Sequence, residues 1–236
     1  MGRNNFFQFK QFRIVQEKAA MKVGIDSVLL GAWANFNGAA RILDIGTGTG
    51  LLTLMAAQRS VAGIDAIELE PEAASEALLN FQNSEWKERI RLMIGAFQDF
   101  NAENSYDHII SNPPFFENGS KSSNSKRAQA RHSDSLSLSQ LLGKSVGLLT
   151  ENGKISLILP ADQENRLLFL SNANGMHVTR FCRVAPDDKK APHRILTELS
   201  KFPGKLHAHD LFIRDSGSGN YSGEYRELTK DFYLAF

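Results

Sequence analysis

One cysteine, Cys182, stands in 236 residues, which excludes a disulfide framework and a zinc site built on several thiolates. No run of about eighteen apolar residues occurs, so a membrane-crossing helix is excluded as well. An excess of one charge is also missing. With 27 Lys and Arg against 26 Asp and Glu, the formal net charge is +1, which excludes a uniformly basic nucleic-acid binder while leaving room for cations gathered on one face. Residues 1–20 carry Arg3, Lys10, Arg13 and Lys18 but no apolar stretch of leader type, so a cytoplasmic, reducing setting is expected. No internal repeat is present. What remains, at 42% apolar and 22% charged, is an ordinary globular chain long enough to bury a full core.

From Ala40 onward, short apolar runs alternate with helical patterns, the signature of a parallel sheet covered on both faces. Strands are expected at Arg41–Ile45, Val61–Leu69, Ile90–Ile94, Tyr106–Ser111 and Lys154–Pro160. Helices are expected at Leu51–Arg59, from Pro71 to about Asn83, over Ser137–Leu149 and through "ADQENRLLFLSNAN". Proline suits a first helical turn, where its missing N–H would be unpaired anyway. Strand-like runs at His177–Val184, Arg194–Ser200 and His207–Arg214 close the chain. The expected fold is α/β and Rossmann-like, a seven-stranded, mostly parallel sheet with an antiparallel edge and helices on both faces. Residues 1–39 form a cap or lid segment and 40–236 the main domain. The polar stretch 117–132, "ENGSKSSNSKRAQARH", is expected as a loop.

"DIGTGTG", Asp44 to Gly50, closes the first of these strands and opens a helix. Glycines there let the backbone turn tightly and approach a ligand, and the helix start offers free N–H groups. A dinucleotide fingerprint would be G-x-G-x-x-G, yet the glycines fall at Gly46, Gly48 and Gly50 and Leu51 takes the third place. That weakens a nicotinamide reading. Asp44 would repel a pyrophosphate and suits a ligand bearing an ammonium group, which points to S-adenosylmethionine. An acid ending the second strand can accept both ribose hydroxyls; Glu68 is preferred, with Glu70 the competing position. Thr47, Leu69 and, beyond the fourth strand, Asn112 complete this cofactor surface. After the third strand, "GAFQD" puts Ala96 and Phe97 where an adenine can rest, although Phe97 serves equally well as plain core.

"SNPPFF", Ser111 to Phe116, follows directly on the fourth strand. Proline cannot donate to a ladder, so the strand stops at Asn112 and the Pro-Pro unit holds the next backbone stiff. "ILDIGTGTG", the acid of strand two and "SNPPFF", in that order, resemble the class I methyltransferases that modify exocyclic or amide nitrogens. More narrowly, "FKQFRIVQEKAAMKVGIDSVLLGAWA", "ARHSDSLSLSQLL" and the closing "YRELTKDFYL" are similar to a bacterial branch that makes N6-methyladenosine next to the anticodon of a valine transfer RNA. The resemblance implies a tRNA substrate and places Lys22, Gly24 and Asp26 near the methionine end of the cofactor. Asp26 is read equally as helix-start chemistry. Many adenine-modifying relatives carry Asp first and Tyr last in the four-residue motif, whereas this chain has Asn112 and Phe115. Asn-first versions also occur in enzymes that methylate glutamine side chains, so a release-factor-type protein substrate is the alternative.

The chemistry expected of Asn112, Pro113, Pro114 and Phe115 is positioning. An exocyclic amine has its lone pair delocalised into the ring. If the Asn112 side-chain oxygen and the Pro113 carbonyl each accept one of its hydrogens, the nitrogen turns toward sp3 and becomes nucleophilic. Phe115 then stacks on an extruded base. Lys121, Lys126, Arg127, Arg131, His132, Lys189, Lys190 and Arg194 are the candidate RNA contacts, against a plain solvated surface for each. The expectation is an S-adenosylmethionine-dependent tRNA adenine-N6 methyltransferase without a metal, its oligomeric state open with a monomer favoured. A nicotinamide enzyme and a cofactor-binding module without turnover are the rivals.

Overall fold

Alternation of side chains along four neighbouring strands builds the two sides of one central sheet. In the computed structural model, which describes residues 5–17, 22–102, 106–113 and 136–236, Ile42, Ile64, Ile110 and Ile158 pack with Leu29, Leu30, Leu52 and Ala56. The intervening Leu43, Ile109, Ile155 and Leu157 pack with Leu141, Leu142 and Leu167 on the other side. A period of two thus supplies both faces, as a strand requires.

The elements, in chain order, are β1 (Phe6–Gln8), β2 (Arg13–Val15), α1 (Ile25–Trp33), β3 (Arg41–Ile45), α2 (Leu51–Arg59), β4 (Gly63–Glu68), α3 (Pro71–Gln82), β5 (Ile90–Ile94) and β6 (Tyr106–Ser111). They continue with α4 (Leu138–Leu148), β7 (Leu149–Pro160), α5 (Glu164–Ala173), β8 (His177–Asp187), β9 (Arg194–Ser200), β10 (His207–Arg214) and α6 (Gly223–Thr229). Local chemistry explains several boundaries. Pro71 sits at the start of α3, and Ser137 with Gln140 forms a reciprocal capping box at the start of α4. Gly50, left-handed, precedes α2.

The large sheet has the order β10-β8-β9-β7-β6-β3-β4-β5. All its pairings are parallel except those of β9, which runs antiparallel to both β7 and β8. Eight strands enter it where seven were expected. The additional one is β10, in parallel register with β8 from His207 opposite Arg180 to Arg214 opposite Asp187; its Leu211 and Ile213 are buried while their neighbours are exposed, so it has one apolar face to contribute.

The chain leaves β3 toward β4 and β5 on one side and returns with β6 on the other. That reversal is the topological switch point, where open α/β sheets leave a crevice beyond the carboxyl ends of the strands. Among the described residues between β2 and β3, none adds a strand to the large sheet. β1 and β2 instead form a separate antiparallel hairpin, with Phe9, Phe12 and Ile14 buried against Leu54, Met55, Phe81 and Phe232. Among the described residues no helix is long and apolar enough to cross a membrane.

Candidate active site

The turn after β3 is held by the backbone of the neighbouring strand. Gly46 N–H and Thr47 N–H both donate to the Ile67 carbonyl, at 2.9 and 3.1 Å, and Gly48 N–H donates to Glu68 Oε2 at 2.7 Å. Gly46, Gly48 and Gly50 have φ of 72°, 56° and 86°, a region that costs other residues roughly 1–2 kcal/mol. At Gly46 and Gly48 an added Cβ would meet nothing within 4 Å, so the backbone there lies open; at Gly50 it would strike Phe81 Cε1 at 2.4 Å. The three glycines are therefore needed for two reasons, two to expose a cradle and one to seat it on α3.

Asp44 lies under this turn and is fully buried. Its Oδ2 accepts from Thr47 Oγ1 at 2.6 Å and Thr53 Oγ1 at 2.7 Å, while its Oδ1 is buried without a partner. Burial pushes its carboxyl up to about 6; the two threonine hydroxyls pull it down and the charge of Glu68 adds to the rise. An unpaired buried carboxylate oxygen is costly unless a donor arrives.

Glu68 ends β4, nearly buried. Besides Gly48, it accepts from the Glu70 backbone N–H at Oε1, 3.0 Å away. Each oxygen thus has one protein donor and room for another. Glu70 is exposed and stands just before α3. Strand register places Asp44 opposite Ala66 and Ile110, so Glu68 and Asn112, each two residues further along, belong to the same face of the sheet.

Asn112 follows β6, half-buried. Its Nδ2 donates to Ser27 Oγ of α1 at 3.0 Å. The preceding Ser111, fully buried, donates from its hydroxyl to the Ile45 carbonyl at 2.7 Å, which locks the end of β6 to the end of β3. Pro113 is buried. Pro114, Phe115, Lys121, Lys126, Arg127, Arg131 and His132 lie outside the described residues.

The remaining sequence-derived positions divide. Ala96 stands just before the single 3-10 turn Phe97–Asp99, and the adjoining Gly95 N–H donates to the Glu68 carbonyl at 2.9 Å. The Phe97 ring, however, is buried among Leu43, Ile45, Ile67 and Ile109 and stacks on Phe100 at 6.3 Å, so its side chain is core. Lys22, Gly24 and Leu69 are exposed. Asp26 does not cap α1, whose N-cap, Gly24, has no side-chain bond. Instead it pairs with Arg194 Nε at 2.8 Å, so two residues expected at different ligands engage each other. Lys190 pairs with Asp187 at 3.0 Å beside Lys189, on the tip joining β8 and β9.

Several supporting residues had no sequence signal. Asn80 of α3, buried, accepts from Val15 N–H at 2.8 Å and donates to the Val15 and Thr49 carbonyls at 3.0 and 2.9 Å, tying the N-terminal hairpin to the glycine turn. Thr53 could have been found by its spacing from Thr47 along the start of α2. Nothing local marks Ser27 or Asn80. No group of three ligating side chains that could hold a metal converges among the described residues.

A family model described as the methyltransferase small domain matches residues 22–169, which takes in α1, the glycine turn and the end of β6. The tRNA1(Val) (adenine(37)-N6)-methyltransferase of Aliivibrio fischeri is 46% identical over 229 residues, 97% of each chain. The enzyme of the same description from Parabacteroides distasonis is 40% identical over 233 residues, 98% of each chain. Among solved structures, one described as a predicted O-methyltransferase from Agrobacterium tumefaciens aligns with a TM-score of 0.65 at 18% identity, over 88% of this chain and 96% of that one. A ribosomal protein L11 methylase from Lactobacillus delbrueckii aligns with a TM-score of 0.53 at 16% identity, over 74% and 76% of the two chains.

Proposed function

This chain belongs to the methyltransferase small-domain family, and from that premise we propose that it is the S-adenosylmethionine-dependent enzyme that methylates N6 of an adenosine beside the anticodon of a valine tRNA. The observation that carries this reading is the shared crevice. Asp44, Glu68 and Asn112 stand at the carboxyl ends of adjoining strands and on one sheet face, and a relative 46% identical over 97% of both chains carries the description tRNA1(Val) (adenine(37)-N6)-methyltransferase.

The residues present fit the cofactor. The partnerless, buried Asp44 Oδ1 suits an ammonium group, and the open backbone at Gly46 and Gly48, with Thr47 between them, leaves room for the cofactor's methionine part. Glu68 supports a ribose diol better than Glu70 because it is buried and held from two sides. Ala96 and the backbone of Phe97 offer a ledge for adenine, with Leu69 at its rim. In this reading residues 1–39 are the cap, with Lys22, Gly24 and Asp26 at its inner edge. When bound, the cofactor supplies an electrophilic methyl group.

The protein's own part is to aim the amine. The Asn112 side-chain oxygen and the Pro113 carbonyl accept the two N–H hydrogens, which draws the lone pair out of the ring, and a fixed acceptor is worth more than a mobile one. Phe115 and Pro114 complete the clamp, with Phe115 stacked on the base. The nitrogen becomes acidic once it carries positive charge, so solvent can take its proton and no strong base is required. Lys121, Lys126, Arg127, Arg131, His132, Lys189, Lys190 and Arg194 are offered as the RNA-facing set, Arg194 through its place beside the hairpin tip. The enzyme works in the cytoplasm with its RNA.

Incubation with methyl-labelled cofactor and either unfractionated tRNA or a release-factor protein tests this. The expected result is label in tRNA, recovered as N6-methyladenosine by nucleoside mass spectrometry. Label in the protein with none in tRNA would overturn it in favour of glutamine methylation.

A further inference from the structure

An amide side chain has nearly the same shape when its oxygen and nitrogen are exchanged, so nothing in packing alone tells Asn112 which atom to present. A reacting amine brings two N–H donors. Facing it with Nδ2 would set donor against donor, whereas Oδ1 accepts. We propose that Ser27 is a positioning residue for methyl transfer, its hydroxyl binding Asn112 Nδ2 so that Oδ1 is the atom left for the amine. The inference rests on the methyltransferase reading above and names a residue that reading does not use.

Three observations support it. Asn112 Nδ2 donates to Ser27 Oγ at 3.0 Å; the hydroxyl can accept or donate, so it holds the orientation that an incoming amine, with its two N–H donors, selects. The two residues are 85 positions apart, so the contact is made by tertiary packing and not by a local turn. The helix that carries Ser27 is secured along its length. Arg59 Nη1 donates to the Gly31 and Ala34 carbonyls at 2.7 and 2.6 Å, and Arg180 Nη2 donates to the Trp33 carbonyl at 3.2 Å with its guanidinium 4.0 Å over the Trp33 ring. At the opposite end Asp26 is held by Arg194. Midway, Gly31 lies so close to α2 that a Cβ would sit 2.6 Å from Met55 Sδ. A serine on so constrained a helix is a fixed reference point for a side chain on β6.

The test compares Ser27→Ala and Ser27→Thr, alone and with Asn112→Ala, using the full chain and unfractionated tRNA. Single-turnover methylation at saturating cofactor is measured beside S-adenosylhomocysteine affinity and Tm. Loss of one orienting hydrogen bond should slow transfer about tenfold in Ser27→Ala. Cofactor affinity should stay within about twofold, and Ser27→Thr, which keeps the hydroxyl, should recover most of the rate. Added to Asn112→Ala, Ser27→Ala should cost nothing further. A full rate in Ser27→Ala while Asn112→Ala has lost it would overturn the proposal and leave the methyltransferase reading intact. Equal losses in both backgrounds, or a matching loss of cofactor affinity, would overturn it by assigning Ser27 a structural role. A full rate in Asn112→Ala would remove both the proposal and the clamp it serves.

Discussion

The ends of β3 and β6 meet at one crevice, but they are built by different means. The glycine turn after β3 is braced within about thirty residues of itself, by Ile67 and Glu68 on the next strand, by its own Thr47 with Thr53 of α2, and by Asn80 of α3. Asn112 after β6 is braced from Ser27, 85 residues earlier, on a helix outside the alternating pattern. A site that binds a cofactor through backbone and a buried acid can be assembled locally. One that must choose which atom of an amide faces a substrate needs a partner from elsewhere, because neither the loop nor the strand defines that choice.

That contrast can be broken at the turn first. Gly50→Ala puts a Cβ 2.4 Å from Phe81 at a φ of 86°, and left-handed strain with overpacking should cost about 3 kcal/mol. Calorimetry should show Tm lower by roughly 10 °C, with S-adenosylhomocysteine binding and methyl transfer lost together, since both ends of the crevice rest on the same seat.

A smaller effect separates the two ends. Asp44 titrates near 6 in the free fold against an ordinary 3.8. Between those values the folded protein holds a proton that the unfolded chain has lost, so this group's contribution to stability is greatest below about pH 4 and declines as pH rises through 6. Cofactor binding runs the other way, because an ammonium group needs the carboxylate. Isothermal titration from pH 5 to pH 7 should show affinity rising about tenfold, as the ionised fraction does. Asp44→Asn should bind weakly at both values and flatten the profile.

The same contrast explains what could be read from the sequence. Arg41–Ile45, Leu51–Arg59 and Ile90–Ile94 have the same limits in the structure as in the pattern, because period and punctuation are local properties. The places of Asp44, the glycines and Glu68 at the ends of β3 and β4 were legible for the same reason. The eighth strand was visible as an alternating run, but its place beside β8 depends on pairing that no single segment encodes. Phe97 shows the limit from the other side, since an aromatic after a strand is equally a core residue, and here the ring is buried. Asp26 and Arg194, read separately as ligands of cofactor and RNA, turn out to be partners across 168 positions. Ser27 and Asn80 carry no motif, and only the packing of α1 and of the N-terminal hairpin gives them their contacts.

The central claim is that Asn112 aims the amine and that cofactor affinity does not depend on its side chain. Its most direct test is Asn112→Ala, assayed for single-turnover methylation of tRNA and, in the same preparation, for S-adenosylhomocysteine affinity. The account predicts a transfer rate lower by about 10²–10³-fold with affinity within about twofold. Transfer at the original rate, or loss of rate fully matched by loss of cofactor binding, would contradict it.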